Sequence, residues 1–394
     1  MIVTSRYPFG TQEAYLSTEL AELQWYFDRI VVVPVRPPAG PARHSVPDGV
    51  EVLAWPLFSF ELLRRAARAV ARKPRAALHA LGGLIRSRDP GRFKNLAVTI
   101  KALAVGEWAL QNAIDHIHAY WISTPATVAM LAANVSGARW SSTAHRWDIY
   151  ERNAFDVKSK SASFIRTIST RGTADLAARM PSLNGRIIEV RLGTVVPQAV
   201  AANHRRDDEL RIVCPAALVA VKGHAVLFAA LAQLRGWGIA TRCTLCGTGP
   251  LRAELAARAA RLGLDEVVEF AGFVPHGTLL EWYRAKRFAV LALASLDGGE
   301  SAMEGLPSAL IEAMAFGLPV VATDSGSVAE LLDQRCGRLV KPNDSYDLAR
   351  ALFEVAVDPA AANARARRAY ERVASRHDVC TQMRQLAGAL MRKE

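Results

Sequence analysis

The sequence predicts an α/β fold made of two doubly wound parallel sheets. Short apolar runs alternate with helical patterns along most of its 394 residues, and strands that alternate with crossover helices form parallel sheets. A polar stretch without periodicity, residues 198–209, divides this pattern into two series and is typical of a linker between domains. Hydrophobic residues make up 51% of the chain, which is enough for two cores.

The apolar runs give the order of the elements in each half. In the first half the predicted strands are 30–35, 117–121, 140–144, 164–169 and 187–192, and the predicted helices are 12–25, 101–113 and 126–133. In the second half the predicted strands are 210–215, 242–247, 267–270, 288–294 and 319–323. The helices between them are predicted at 223–234, 250–262, 277–285 and from Pro307, and an arginine-rich helical segment starts at about residue 361.

These two series predict the domain organisation. The expected domains are 1–197 and 198–375, each Rossmann-like, followed by a C-terminal helix at 376–394 that returns to the first domain. In open parallel sheets, ligands bind at the carboxyl ends of the strands. Functional residues are therefore expected in the loops that follow strands, on the two sides of a cleft.

Several classes of protein are disfavoured by composition. The CxxC formed by Cys243 and Cys246 lies in an apparent strand, with no second pair at metal-ligand spacing, so it predicts packing. No run of about 18 apolar residues predicts a membrane span, and no secretory signal is visible. These features favour a cytoplasmic protein. The first strand is short, so the natural start could lie at Met1 or upstream of it.

Positive charge is concentrated in the first half of the chain. Residues 1–197 hold 25 Lys and Arg against 15 Asp and Glu, which leaves only +2 of the net +12 for the remainder. The stretch from Arg64 to Leu96 is rich in Arg and Ala and has one acid, Asp89. Such a segment fits an anionic membrane surface, which would make the protein peripheral on the membrane, or a solvated helix face. Nucleic acid is disfavoured, because interleaved aromatic residues and nucleic-acid motifs are lacking.

The segment SAMEGLPSALIEAMAFGLPVVAT, residues 301–323, carries the densest functional pattern. Glu304 precedes a Gly-Leu-Pro turn, and Glu312 follows after seven intervening residues, inside an apolar helix. Pro307 suits the first helical position and Gly317 the helix end. Free N–H groups at such a start bind anions, notably a diphosphate. An ionised glutamate in an apolar helix needs partners, such as a ribose diol, although Glu312 taken alone would equally fit an exposed helix face.

This segment resembles the signature of family 4 glycosyltransferases, which are retaining enzymes of the GT-B fold. The resemblance extends upstream through GTGPLRAELAARAARLGLDEVVEFAGFVP and downstream through GRLVKPNDSYDLARAL. In the first half, HIHAYWISTPA, SSTAHRWDIY and VRLGTVVP are similar to the acceptor-domain landmarks of the family. AHRWDIY and YPFGTQEAYLSTEL are most similar to members that build bacterial exopolysaccharides of the colanic-acid type.

The resemblance implies a hexosyltransferase-type reaction. A sugar would pass from a nucleoside-diphosphate sugar to a hydroxyl of a growing, lipid-linked glycan or polysaccharide, with the anomeric configuration retained. His145 would contact the donor sugar at the reacting face, Glu304 would lie beside that sugar, and Lys222 would neutralise the diphosphate. The residues implied to bind the donor are Gly10, Lys222, Phe273, Val274, Glu304, Gly305, Leu306, Pro307, Ser308 and Glu312.

Within that set the resemblance implies further roles. Glu312 would hold the ribose, Phe273 and Val274 would flank the base, and Gly10 would lie in a loop that faces donor and acceptor. No Asp-x-Asp pair occurs in the chain, so neither a metal nor another cofactor is expected. One departure concerns the diphosphate: where the family has an arginine five residues before the lysine, this chain has Ala217.

Three alternatives remain beside the glycosyltransferase hypothesis. A sugar-nucleotide-binding member with weak or absent catalysis is the main one, and Ala217 supports it. A dehydrogenase is a second, because CGTGPLR has the first two glycines of a dinucleotide fingerprint, but Arg252 stands where the third belongs. An epimerase or phosphorylase of the same fold is disfavoured by the acceptor-side landmarks.

Overall fold

A computed structural model gives the structure of this chain. It describes residues 1–11, 13–36, 40–57, 59–75, 82, 84–85, 91–200, 208–299 and 304–392. The chain divides into two compact units, one formed by Met1–Arg191 with Cys380–Glu394 and the other by Leu192–Val379. The domain limits expected at 197/198 and 375/376 stay predictions.

Unit 1 contains a parallel sheet of seven strands in the order β3-β2-β1-β4-β5-β6-β7. Its strands are β1 (Ile2–Thr4), β2 (Ile30–Pro34), β3 (Val50–Val52), β4 (His116–Ala119), β5 (Arg139–Ala144), β6 (Ile165–Thr167) and β7 (Ile187–Glu189). Its helices are α1 (Tyr15–Leu23), α2 (Phe60–Arg72), α3 (Arg92–Ala97), α4 (Thr99–Gln111), α5 (Thr124–Ser136), α6 (Arg146–Glu151), α7 (Phe155–Lys158) and α8 (Thr170–Arg179).

Unit 2 contains a parallel sheet of six strands in the order β10-β9-β8-β11-β12-β13. Its strands are β8 (Leu210–Cys214), β9 (Thr241–Cys246), β10 (Val268–Gly272), β11 (Val290–Leu293), β12 (Val320–Thr323) and β13 (Arg338–Val340). Its helices are α9 (His224–Gly236), α10 (Arg252–Arg261), α11 (His276–Arg284), α12 (Ser308–Ala315), α13 (Val328–Leu331), α14 (Ser345–Val357) and α15 (Pro359–Arg376). A last helix, α16 (Val379–Met391), lies in unit 1 from Cys380 onward.

The strand orders place a topological switch point in each unit. In unit 1 the order reverses between β1 and β4, and in unit 2 it reverses between β8 and β11. Loops that leave the carboxyl ends of such strands diverge and open a crevice for a ligand. The segments to inspect are therefore those that follow β1 and β4 in one unit and β8 and β11 in the other.

The prediction of two doubly wound α/β units is confirmed, and the predicted strands agree with the observed ones to within a few residues. Strands β3 and β13 were not predicted, because three residues are too few to show a period. Pro307 does not begin its helix as predicted. It is the N-cap, with extended backbone angles, and its carbonyl oxygen accepts hydrogen bonds from the Leu310 and Ile311 amides. Parts of the basic stretch 64–96 and of the predicted linker lie outside the described residues.

Both cores are aliphatic, and unit 1 also buries a complete ion pair. Arg166 on β6 and Glu19 on α1 form a bidentate pair of 2.8 and 2.9 Å with fully buried side chains. The remaining guanidinium donors reach the carbonyl oxygens of Val190 and Arg191. A buried charge pair persists only when its donors and acceptors are satisfied in this way. The pair thereby fixes α1 against β6, the strand next to the β7 edge of the sheet.

Candidate active site

In unit 2 the site begins with an ion pair between the segments after β8 and β11. The Nζ of Lys222 lies 2.6 Å from Oε2 of Glu304, and the glutamate is buried. Burial by itself opposes ionisation, but the charge and hydrogen bond of Lys222 outweigh it and hold the pKa of Glu304 below its usual value. Glu304 and Lys222, which the resemblance assigned separate roles as a sugar contact and a diphosphate contact, are thus partners of each other.

Two serines fix the Glu304 carboxylate and backbone. The Ser295 hydroxyl donates to Oε2 at 2.7 Å, and the Glu304 amide donates to the Ser325 hydroxyl oxygen at 3.1 Å. Gly326 then passes so close that an added Cβ would lie 1.7 Å from the Glu304 carbonyl oxygen, at a φ of +62° that only glycine adopts easily. The loop after β12 therefore serves as a rigid backing for Glu304.

The turn before α12 carries the predicted anion-binding groups. The amides of Leu306 and Ser308 have no hydrogen-bond partner among the described residues, whereas the Gly305 amide donates to Oε1 of Glu304 at 3.2 Å. Because α12 starts at Ser308 behind the Pro307 cap, its free N–H groups and its dipole meet at this turn. These amides can bind an anion next to Lys222, and a phosphate group is an anion that such a site would bind.

Glu312, in the second turn of α12, is buried. The alternative interpretation, that Glu312 lies on an exposed helix face, is therefore wrong. Its Oε1 lies 3.1 Å from Nε2 of His276, the first residue of α11. The contact is an ion pair when His276 is protonated. Burial disfavours that cation, but the interaction with Glu312 outweighs burial and raises the pKa of His276. Phe273 and Val274, predicted to flank the base, are half-buried in the loop that leads to His276.

In unit 1 the predicted His145 follows β5 and is the N-cap of α6. Its ring lies 4.2 Å from the Trp121 ring, and its Nε2 lies 3.0 Å from the Tyr15 hydroxyl. The Asp148 carboxylate accepts hydrogen bonds from the amides of His145 and Ile122, which ties the loops after β4 and β5 together. Burial, and then the charge of Arg166, lower the pKa of His145 to about 3. His145 therefore offers a neutral imidazole, which can exchange hydrogen bonds with sugar hydroxyls.

The loop after β1, which contains Gly10, is organised by a buried carboxylate. Glu13 accepts hydrogen bonds from three consecutive amides, those of Ser5, Arg6 and Tyr7, at 2.8–3.0 Å. It also accepts one from Nε1 of Trp121 at 2.6 Å. Glu13 thus joins the Gly10 loop to the tryptophan that stacks on His145.

Sequence reasoning missed Glu13, Tyr15, Trp121, Ser295 and His276. Trp121 is the last residue of a predicted strand, Ser295 directly follows another, and His276 stands two residues after the expected base loop, so position alone could have nominated them. The contact of Glu13 with Trp121 joins residues 108 apart in the chain, so no local sequence pattern could predict it.

Ala217 is partly buried in the segment between β8 and Lys222. Close to Lys222 lies a second missed histidine, His224, buried and with neither ring nitrogen hydrogen-bonded among the described residues.

The geometry can be set beside known proteins. Residues 197–372, nearly all of unit 2, match the family model described as glycosyl transferases group 1. This segment is a glycosyl transferases group 1 domain. The prediction of a glycosyltransferase is thereby confirmed at the level of this domain, which contains Lys222, Glu304 and Glu312.

Two curated proteins similar to this chain are named for polysaccharide biosynthesis. WcaL of Salmonella typhimurium, a putative colanic acid biosynthesis glycosyltransferase, is 34% identical over 183 residues, 46% of this chain and 45% of that protein. The amylovoran biosynthesis glycosyltransferase AmsK of Erwinia amylovora is 34% identical over 148 residues, 37% of this chain and 36% of its own. The chain thus matches less than half the length of these relatives.

A solved structure extends the likeness to both units. The Anabaena protein HepE, solved in complex with UDP-glucose, is 19% identical and aligns with a TM-score of 0.74 over 99% of this chain and 98% of its own. At that identity the likeness shows the fold alone. The fold is GT-B, as the sequence predicted.

Proposed function

We propose that this protein is a retaining glycosyltransferase. It would move a sugar from a nucleoside-diphosphate sugar to a hydroxyl of a growing, lipid-linked polysaccharide. The observation that carries the proposal is the ion pair of Lys222 with the buried Glu304, beside the free N–H groups at the start of α12, within a glycosyl transferases group 1 domain. A cation and a helix start together suit a diphosphate, and the adjacent carboxylate suits sugar hydroxyls.

Different parts of the donor would bind to different residues of unit 2. The diphosphate lies against Lys222 and the segment Gly305–Ser308, the ribose against Glu312, and the base against Phe273 and Val274. Lys222 then exchanges part of its contact with Glu304 for a phosphate oxygen, which frees the carboxylate for the sugar. His145 and Gly10 of unit 1 act on the sugar and the acceptor.

In the proposed transfer, the bond between the anomeric carbon and the phosphate oxygen breaks. The acceptor oxygen bonds to the same face of the anomeric carbon, and its proton passes to the leaving phosphate oxygen. Lys222 and the α12 amides stabilise the negative charge that grows on that phosphate. This charge is met by the protein itself, so no metal ion is needed.

The class of substrate rests on the named relatives. WcaL and AmsK are named for colanic acid and amylovoran biosynthesis, and HepE was solved with UDP-glucose. These names support a nucleotide-sugar donor and an exopolysaccharide acceptor for this chain. They leave the base, the sugar and the linkage open.

A sugar-nucleotide-binding protein with weak catalysis is the second candidate. Ala217 favours it, because an arginine at that position would add a charged hydrogen bond to the leaving phosphate. The two candidates agree on donor binding and differ in turnover.

The test begins with thermal shift against a panel of UDP-, GDP- and ADP-sugars. The stabilising donor is then incubated with glycan acceptors, and NMR of the product reads the anomeric configuration. Transfer with retention supports the proposal, and stabilisation without transfer or donor hydrolysis supports the second candidate. No stabilisation by any member of the panel contradicts both.

We also propose that the protein works at the cytoplasmic face of a membrane, through helix α2. The inner face of α2 buries Leu62, Ala66 and Ala69, while Phe60 is 83% exposed and Leu63 52% exposed. Val70 continues this exposed apolar row, and Arg64, Arg68 and Arg72 run beside it. Glu61 and Glu107 pair with the first and last of these arginines, and Arg68 has no ion pair among the described residues. An apolar row beside a basic one is the pattern of a helix that lies in an anionic lipid surface.

A further inference from the structure

Glu312 has one charged neighbour among the described residues, and that neighbour is His276. Their side chains are only 7% and 14% exposed, and Nε2 lies 3.1 Å from Oε1. Oε2 has no such neighbour in the described part of the chain. The carboxylate is therefore held from one side and open on the other.

The geometry of this pair is fixed by packing at the far ends of α11 and α12. The Tyr283 ring lies 6.2 Å from the Phe316 ring, and the Arg284 guanidinium lies 5.6 Å from the same ring. Lys286, just beyond α11, donates to the Phe316 carbonyl oxygen at 2.6 Å. Because these contacts join the end of α11 to the end of α12, they set the position of His276 against Glu312.

His276 is also the group at this contact that can change its charge near neutral pH. The titratable and charged groups on the two helices and the turn after α11 are Glu312 itself, Glu281, Tyr283, Arg284, Lys286 and Arg287, and of these Glu281 and Arg287 are exposed. Burial, with the charge of Glu312, raises the pKa of Tyr283 well above its usual value, so this phenol stays neutral. Arg284 and Lys286 contact Phe316, at the opposite end of α11 from His276.

We propose that His276 is a positioning residue for Glu312. Its imidazole anchors Oε1, so that the rest of the carboxylate is presented to the 2′- and 3′-hydroxyls of the donor ribose. This inference rests on the proposed donor role of Glu312 and adds a basis for specificity toward the ribose of the donor. The pair distinguishes a ribonucleotide from its 2′-deoxy form.

The experiment is calorimetric titration with nucleoside diphosphates and their 2′-deoxy forms, taking UDP, GDP and ADP in turn. The variants are His276→Ala and His276→Gln, with Glu281→Ala as a control that alters an exposed residue on the same helix. Wild type and control should prefer the ribonucleotide by about tenfold, the worth of one hydrogen bond to a charged group. His276→Ala should shrink that preference to about twofold through weaker ribonucleotide binding, with deoxynucleotide affinity nearly unchanged.

Two further readouts separate positioning from a general loss of structure. His276→Gln keeps a polar group without the charge, so it should retain part of the preference and show no pH dependence. In wild type the preference should fall as pH rises through the pKa of His276, because the cation beside Oε1 is lost. In sugar transfer, His276→Ala should raise KM for the donor and leave kcat nearly unchanged.

Two results would contradict the positioning role, and a third would contradict the proposed function as well. If His276→Ala weakens both nucleotides equally, or wild type and His276→Gln share one pH dependence, the positioning role is overturned while donor binding stands. If wild type binds none of the nucleotides, the proposed function fails and this inference fails with it.

Discussion

At the scale of single residues, each of the two glutamates of the candidate site lies against a basic side chain. Lys222 faces Glu304, and His276 faces Glu312, with each carboxylate buried. A buried charge without a partner is costly, and Lys222 offsets that cost for Glu304. Under the proposed function, donor binding would exchange these partners and would not bury a new, unpaired charge.

The two glutamates should respond differently to substitution. Glu312→Ala should weaken nucleoside diphosphate binding by about 1.5–3 kcal/mol, the cost of a lost charged hydrogen bond. Glu304→Ala should weaken it less, because the change also releases Lys222 for the phosphates. Calorimetric titration of both variants measures the difference. If Glu312→Ala binds as tightly as wild type, the ribose assignment is wrong.

His145 should remain neutral throughout the range of enzyme assays. Its pKa is about 3 because it is buried and faces Arg166. A folded pKa below the unfolded value of about 6.5 means that acid favours the unfolded chain, so His145 lowers stability only as pH falls below about 6.5.

NMR of the histidine ring protons tests this statement. The signal that disappears in His145→Gln should not shift between about pH 5 and 8. The His276 signal is the internal control, since its raised pKa predicts a titration. A midpoint near the usual histidine value would show that the ring is open to solvent.

At the scale of elements, the loop after β12 is expected to be the least tolerant of added bulk. Gly326→Ala would place a methyl group 1.7 Å from the Glu304 carbonyl oxygen in a left-handed conformation. We expect a loss of about 2 kcal/mol or more, together with weakened donor binding. Thermal melting with and without nucleotide measures both effects.

The matched control for that change is Gly236→Ala in α9. An added Cβ there meets nothing within 4 Å, and the backbone is helical. Alanine should be neutral or should stabilise by up to about 1 kcal/mol. Equal melting temperatures for the two variants would show that Gly326 is not constrained as described.

Helix α2 should bind anionic vesicles in a salt-dependent way. Each basic residue near an anionic leaflet contributes about 1 kcal/mol at most, and the screening length falls from about 10 Å at 0.1 M salt to about 3 Å at 1 M. Co-sedimentation with anionic and neutral liposomes across that range measures binding. Binding should be reversible, since a few contributions of that size give attachment to the surface and not insertion.

The contribution of the apolar row can be isolated by substitution. Phe60→Ser combined with Leu63→Ser should weaken liposome binding without unfolding the protein, because both side chains are exposed. Trp25→Ser removes an equally exposed aromatic outside α2 and should have no effect. Equal binding to both liposome types, or binding to neither, would show that the exposed side of α2 is a solvated helix face and not a membrane-binding surface.

At the scale of the whole molecule, the proposed reaction depends on protein groups alone for the charge on the leaving diphosphate. Transfer should therefore proceed unchanged in EDTA, since the chain contains no Asp-x-Asp pair and Lys222 with the start of α12 meets that charge. The measurement is initial rate with chelator, followed by added Mg²⁺ or Mn²⁺. Loss of turnover that a metal restores would contradict this prediction.

The sequence by itself determined the α/β class, the two doubly wound sheets and the loops that carry Lys222, His145 and Glu304. Alternation of apolar strands and helices is local along the chain, and ligand sites in such sheets follow strand ends. It also singled out Glu312, because a charged residue in an apolar helix is an anomaly that a short window reveals.

Only the tertiary structure decided which groups meet. Lys222 and Glu304 are 82 residues apart, and Glu13 and Trp121 are 108 apart. They meet because β8 lies beside β11 and β1 beside β4, and this pairing of strands that are distant in sequence places their carboxyl ends together. Period and composition report which face of an element is apolar, but they do not report its neighbour in the sheet. The partners of Glu304 and Glu312, and hence the charge balance of the site, were therefore fixed by strand order and helix packing.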